Sequence, residues 1–351
     1  MNSAPVESMN SVAEACEFAK KLSSDWLVMT FLIIRSLFSI ISVIMMIVLM
    51  YFEKFTKRYH PNAVVLLRGY LFFTIGAALS NLCADGTDTF RLLFYRTNNL
   101  TCPFHLYTGK TSELMIMPTM FSVNALGIMF IFIGIERSIA TVYANTYEKM
   151  KSTVPGWLLL FVATITSAGK VYWFFSQSTV EKYTALSSLG DVPLAVQQTA
   201  LGMQLSIEIL NVIIFTVLHF CNKRYHNSSR RMVTSLTYKY QINENMTSIS
   251  LILQIAWFHC VVTIVATVVI LATIPYLTNE WSVLRYSLPT DLYPVYHCAF
   301  PFWFAYKVVQ EKRRQRRLQV AEEKERKEYR NQDGHFIMLE HLFVKREKGI
   351  K

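Results

Sequence analysis

The stretch WLVMTFLIIRSLFSIISVIMMIVLMYF, Trp26–Phe52, holds one formally charged side chain, Arg35, in 27 residues. It is too long for an ordinary strand and apolar on every side. A soluble amphipathic helix, by contrast, keeps one polar face. As an α-helix rising about 1.5 Å per residue it covers the ~30 Å of hydrocarbon in a bilayer with length to spare. The stretch reads as a membrane-spanning helix, and six more follow it: Ala63–Asp85, Glu113–Arg137, Gly156–Ser176, Thr199–Cys221, Thr247–Ile274 and Ser287–Tyr306. Pro289, Pro294 and Pro301 interrupt the last, which neighbouring helices tolerate by satisfying the freed carbonyls. The expected fold is an all-α membrane protein, a seven-transmembrane helix bundle over residues 26–306. A segment 1–25 precedes it and a charged tail 307–351 follows it.

The composition of the whole chain agrees. Of 351 residues, 52% are hydrophobic and 17% charged, against about 25% charged in a soluble domain. Residues 307–351 carry 22 of the 59 charges, which leaves 37 among the first 306 residues. That is too little polar surface for a water-soluble body. Twelve Gly, ten Pro and six Cys exclude collagen, disorder and a disulfide-dense scaffold. An odd number of spans weighs against the paired inverted repeats of many transporters.

Lys and Arg set the orientation. The segments 53–62, 137–155, 222–246 and the tail hold 3, 3, 5 and 14 of them, against 2, 3, 1 and 1 in 1–25, 86–112, 177–198 and 275–286. The basic side is expected to be cytoplasmic, with the N terminus outside and the C terminus inside. Segment 1–25 lacks the apolar core of a cleavable signal, so the first span is expected to serve as the signal anchor. The net charge of +11 lies mainly on the expected cytoplasmic face, where anionic lipid accounts for it without a nucleic-acid partner. The tail from Lys307 alternates in sign and lacks helix breakers. It reads as a membrane-surface helix running into a solvated one.

Nothing in the chain asks for an enzyme, a cofactor or a metal: there is no metal-ligand cluster, phosphate loop or nucleophile elbow. The informative residues are polar groups within the spans, each costing about 2.5 kcal/mol or more at the bilayer centre unless paired or hydrated. Arg35 and Glu208 each lie about nine residues, ~13 Å, below the outer surface. Either is a ligand contact or half of a structural ion pair. Lys170 and Arg68 sit near span ends, where they can snorkel to headgroups. His259 and His297 are site residues or packing partners within the bundle. Cys102 stands outside, with Cys16 and Cys83 both within reach; Cys16 is favoured because that bond would strap the N-terminal segment over the bundle. Cys221, Cys260 and Cys298 read as buried small residues. Asn99-Leu100-Thr101 is a glycosylation sequon on the expected outer side.

Glu136-Arg137 closes the third span. An acid–base pair ending the third of seven helices resembles the conformational lock of rhodopsin-like G-protein-coupled receptors. By that resemblance the Glu holds the Arg at rest and releases it toward the G protein on activation. The run Glu136-Arg137-Ser138-Ile139-Ala140-Thr141, followed by Asn145-Thr146-Tyr147-Glu148, and the run Leu236-Thr237-Tyr238-Lys239-Tyr240-Gln241-Ile242-Asn243-Glu244-Asn245 are together similar to the nematode serpentine chemoreceptors of the Sra superfamily, class AB above all. The resemblance implies a G-protein-coupled chemosensory receptor in the plasma membrane, multi-pass, in sensory neurons and their cilia. Its partners would be a small external chemical, a heterotrimeric G protein and membrane lipid. Tyr240, Gln241, Glu244 and Asn245 would then be motif positions at the inner mouth. The seventh span offers Tyr293-Pro294-Val295-Tyr296-His297 where rhodopsin-like receptors have Asn-Pro-x-x-Tyr. The alternative reading is a ligand-gated channel or small-solute transporter, which would want a ring of like charges or exposed carbonyls.

Overall fold

The computed structural model of the chain describes residues 12–51, 60–98, 106–147, 152–178, 183–184, 186–187, 192–231, 236–273 and 293–307, with short stretches between 309 and 327. They are helical almost throughout: α1 (Val12–Ser24), α2 (Trp26–Tyr51), α3 (Pro61–Asn98), α4 (Gly109–Val142), α5 (Ala144–Tyr147), α6 (Val154–Phe175), α7 (Leu194–Arg231) and α8 (Leu236–Thr273). Two short strands, β1 (Tyr107–Thr108) and β2 (Tyr183–Thr184), pair antiparallel. Residues 293–301 form a further helical segment, α9.

Six helices among the described residues are long and apolar enough to cross a membrane: Trp26–Tyr51, Pro61–Phe94, Gly109–Val142, Val154–Phe175, Ala195–Tyr225 and Ile252–Val269. They coincide with the first six expected spans. The expected seventh, Ser287–Tyr306, begins outside the described residues and is helical from residue 293. Several helices outrun their expected spans; α3 continues to Asn98 and α7 to Arg231. Hydropathy marks only the length that hydrocarbon can hold, whereas backbone pairing continues into the interface.

The chain divides into two compact units, Met1–Pro301 and Phe302–Lys351. In the second, the Lys307 ammonium lies 5.7 Å from the Trp303 ring centre, and Gln310 Nε2 donates to Tyr306 Oη at 3.1 Å. All that follows concerns the first unit.

Within that unit α3 and α4 are the inner helices. Their most apolar windows are 61% and 56% buried, against 28% for α2, α6 and α7. The outer faces carry the apolar side chains that meet lipid, such as Ile40, Ile44 and Ile47 on α2 and Trp157, Phe161 and Ile165 on α6. Polar groups turn inward: Asn124, Glu136 and Arg137 of α4, Gln204, Glu208 and Asn211 of α7, and His259 of α8 are all buried. This inverted sorting is what a hydrocarbon solvent selects, since lipid satisfies no hydrogen bond.

One end of the bundle is covered. Asp25 Oδ1 accepts from the backbone of Leu27 at 2.8 Å, capping α2 and turning the chain back into α1. Ala19 and Leu22 of α1 pack on Met29, Leu32, Leu92 and Leu186. Buried Asp88 of α3 accepts from Ser187 N at 2.8 Å and Ser187 Oγ at 2.5 Å, and so fastens the segment after β2. Arg91, which bonds Asp88 at 3.5 Å, lies 3.5 Å from the centre of the Tyr107 ring in β1. Burial first, and then the Asp88 charge, push the Tyr107 hydroxyl up to about 12. Cys16 of α1 is disulfide-bonded, and Cys83, the alternative partner for Cys102, is a free, exposed thiol. Cys102 and Asn99 lie outside the described residues. Of the cysteines expected to be buried, Cys260 is; Cys298 is half-buried, and Cys221 is exposed beside Phe220 on the outer face of α7.

At the opposite end α6 starts against α3. A Cβ on Gly156 would lie 3.0 Å from the backbone oxygen of Asn62 and 3.1 Å from its Cα, while one on Gly169 would meet nothing within 4 Å. Gly156→Ala should therefore cost about 1–3 kcal/mol of stability, and Gly169→Ala should be neutral or stabilising by up to about 1 kcal/mol. Thermal unfolding of the two variants in detergent, side by side, checks the contrast. Equal midpoints would contradict the close approach at Gly156.

Candidate functional site

Two polar clusters occupy the interior. The first crosses three helices at mid-bundle. On α7 the spacing of Gln204, Glu208 and Asn211 puts all three on one helix face, and that face turns toward α4 and α8. Gln204 Nε2 donates to Glu208 Oε1 at 2.7 Å. His259 Nε2 of α8 reaches the same oxygen at 3.1 Å. Lys170 of α6 donates from Nζ to Gln204 Oε1 at 3.2 Å. The result is a relay, Lys170–Gln204–Glu208–His259, that carries a charge at each side and a neutral amide between.

The relay fits only because α4 is thin where it passes. A Cβ at Gly127 would come within 2.8 Å of both Gln204 Nε2 and Glu208 Oε1. The Gly127 carbonyl accepts from Asn211 Nδ2 at 2.9 Å. Aromatic rings enclose the far side of His259, with Tyr296 at 4.8 Å and Phe130 at 5.8 Å between centroids. Tyr70 and Tyr296 share a hydrogen bond of 2.7 Å between hydroxyls, joining α3 to α9. His297 follows on α9, fully buried, and its carbonyl accepts from Ser42 Oγ at 2.7 Å.

Several polar atoms here have no protein partner among the described residues: Glu208 Oε2, Asn211 Oδ1, His259 Nδ1 and both ring nitrogens of His297. A buried acceptor left unpaired costs about 1–3 kcal/mol. Buried atoms of this kind are ordinarily satisfied by ordered water. The cluster does not resemble a metal centre: among the described residues no three His, Cys, Asp or Glu side chains converge as ligands.

The second cluster lies at the end of α4. Among the described residues Arg137 is the largest fully buried side chain, 1% exposed, beside Glu136 at 3%. Adjacent residues on a helix point about 100° apart, so both side chains must curl back to meet. They do so through two bonds, Arg137 Nε to Glu136 Oε2 at 2.5 Å and Arg137 Nη2 to Glu136 Oε1 at 2.6 Å. The short helix α5 brings Tyr147 onto the same carboxylate, and its hydroxyl donates to Glu136 Oε1. Burial first, and then the Glu136 charge, raise the Tyr147 hydroxyl well above its ordinary value, so it stays a donor. The Tyr147 ring packs 4.0 Å from that of His60. One turn on, Thr141 Oγ1 accepts from Asn222 Nδ2 of α7 at 2.9 Å.

The residues singled out from sequence divide among these places. Glu208 and His259 come together directly, and His297 lies behind them on α9. Lys170 joins the same relay. Arg35 instead meets Asp85 of α3, Nε to Oδ2, at 3.1 Å, and Arg68 is exposed on α3. Glu136 and Arg137 form the second cluster. Tyr240, Gln241, Glu244 and Asn245 lie on the backbone of α8, and their side chains fall outside the described residues. Sequence reading passed over Gln204, Asn211 and Tyr70, and met Tyr147 and Tyr296 only within quoted runs, without a role. The first two had a visible signal, a polar stripe at i, i+4 and i+7 of an apolar helix.

Removing one partner of a buried pair strands the other. Glu136→Ala should cost about 3–5 kcal/mol, since it removes the carboxylate that neutralises Arg137 in the interior. The double variant Glu136→Ala with Arg137→Met should recover most of that loss. Thermal midpoints of the purified proteins give the cycle; a double variant as unstable as the single one would mean that the pair is not truly desolvated.

Comparison with known proteins agrees with this architecture. The family model described as "Serpentine type 7TM GPCR receptor class ab chemoreceptor" matches residues 13–337. No curated protein matches the chain significantly. With the match covering nearly the whole chain, the protein belongs to this family of seven-transmembrane chemoreceptors.

Proposed function

We propose that this serpentine class ab chemoreceptor binds a small external chemical inside its helix bundle and activates a heterotrimeric G protein at the end bearing Glu136, Arg137 and α5. The observation that carries the reading is the fully buried Glu136–Arg137 pair clasped by Tyr147. Desolvating two charges is costly, so such a pair is held closed only while its geometry is complete. A partner that offers Arg137 new acceptors competes with Glu136 for it. The pair is thus an element with two discrete arrangements, and a ligand shifts the balance by its differential affinity for them.

The ligand contacts proposed are Glu208, His259 and His297, whose unpaired buried atoms support a polar contact there. Arg35, held by Asp85, is proposed as a contact on the α2–α3 side. Tyr240, Gln241, Glu244 and Asn245 are proposed to face the G protein. The Lys/Arg distribution supports an outer N terminus and an inner C terminus. A bonded Cys16, with Cys83, Cys221, Cys260 and Cys298 all free, supports the pairing of Cys16 with Cys102. Glycosylation at Asn99 and residence in the plasma membrane of sensory neurons and their cilia complete the proposal. It includes no cofactor and no metal.

The test is nucleotide exchange on a panel of G proteins co-expressed with the chain and exposed to a chemical library. Ligand-dependent exchange should vanish in Arg137→Ala while surface expression persists. Tyr147→Phe removes a hydrogen bond to a charged group, so ligand-independent exchange should rise by about tenfold or more. A ligand-evoked current that persists without any G protein would replace the receptor reading with that of a channel.

A further inference from the structure

We propose that the groove between α4, α6 and α7 binds a lipophilic carboxylate, a single hydrocarbon tail with an anionic head, which enters from the bilayer and sets its head on Lys170. The groove has a volume of about 760 Å³, within the ~300–1,000 Å³ that one small ligand occupies. Its walls are apolar, from Phe132 on α4, Trp173 on α6, and Met203 and Ile207 on α7. The hydroxyls in the wall offer no free donor. Thr166 Oγ1 donates to Val162 O at 2.8 Å and Ser206 Oγ to Gly202 O at 2.8 Å, each on its own helix.

Lys170 is the cation in this lining, and no lining residue is acidic. An ammonium has three N–H donors, and the bond it makes goes to a neutral acceptor, Gln204 Oε1. The nearest carboxylate along the relay, Glu208, is reached only through Gln204 and is already shared with His259. A cation in an apolar wall is costly until an anion meets it, and a ligand carboxylate meets it with charge-assisted bonds. That charge complementarity selects the head. The volume selects the single tail: a groove of this size holds one hydrocarbon chain beside the head. Lys170 lies five residues before Phe175, the last residue of α6, or about 7.5 Å along the helix.

The head also reaches the core. A carboxylate on Lys170 competes with Gln204 for the ammonium, and Gln204 is the residue that positions Glu208 against His259. The groove is thus wired to the mid-bundle cluster, and in the receptor reading above this names the class of chemical that would be sensed. Only that last step rests on the receptor reading.

Binding is measured on the purified full-length chain in phosphatidylcholine nanodiscs without any G protein, so a failure here and a failure of nucleotide exchange are distinguishable. The probe is ω-bromoundecanoate, which quenches tryptophan, with ω-bromoundecanol as its uncharged match. Saturable quenching by the carboxylate is expected, most of it lost in Trp173→Phe. Lys170→Gln should weaken the carboxylate by about tenfold or more and the alcohol by less than about threefold. Lys170→Arg should keep the affinity, and Met203→Phe, which fills the groove without touching the charge, should lose it. Equal quenching by acid and alcohol, or quenching that never saturates and ignores Lys170→Gln, would overturn the proposal in favour of bulk lipid. Should Lys170→Gln fail to fold, the other two variants decide. Undiminished binding in Met203→Phe would overturn it as surely.

Discussion

Hydrocarbon accepts no hydrogen bonds and solvates no charge, so every polar atom inside a bilayer must find its partner within the protein. The interior of this chain is organised by that demand. Isoleucines and aromatics face outward from α2 and α6, while Glu136, Arg137, Gln204, Glu208, Asn211 and His259 turn in. Helix α4 is the meeting place because it presents Gly127 where α7 crosses and an acid–base pair where it ends. With no hydrophobic drive to separate helices from lipid tails, close approach and interior polar contacts are what remain to hold the bundle together.

The two buried clusters answer the demand differently. Both oxygens of Glu136 are engaged: Arg137 grips it twice and Tyr147 adds a third donor. Glu208 is half satisfied, with Oε1 shared by Gln204 and His259 and Oε2 left without a protein partner. A fully paired site resists change until a competitor arrives. An incompletely paired one leaves an acceptor for a further donor.

Much of this was legible in the sequence. The first six spans follow from length and apolarity alone, because some twenty predominantly apolar residues have few other fates. Glu208 and His259 stood out as polar groups in apolar helices, and the structure joins them. Arg35 stood out for the same reason, yet its partner, Asp85, was taken as the last residue of a span rather than as a counter-ion. Depth along a helix can be counted from sequence; azimuth between helices cannot, and pairing depends on both. Tyr147 stood in the run that follows Glu136-Arg137, but its bond to Glu136 was not legible, because it acts from a separate four-residue helix through a turn that no periodicity announces. The side chains of Tyr240 through Asn245 and the whole neighbourhood of Cys102 lie outside the described residues.

The relay also bears on how such a chain is made. Synthesis proceeds from the N terminus, and segments enter the membrane in that order. Helix α7 therefore arrives with Glu208 before α8 has supplied His259. A lone carboxylate would be a poor passenger at that moment. Gln204 travels on the same helix, one turn away, and Lys170 is already in place on α6. The linear order of the relay along the chain thus supplies escorts ahead of the charge that needs them, and His259 closes the set last.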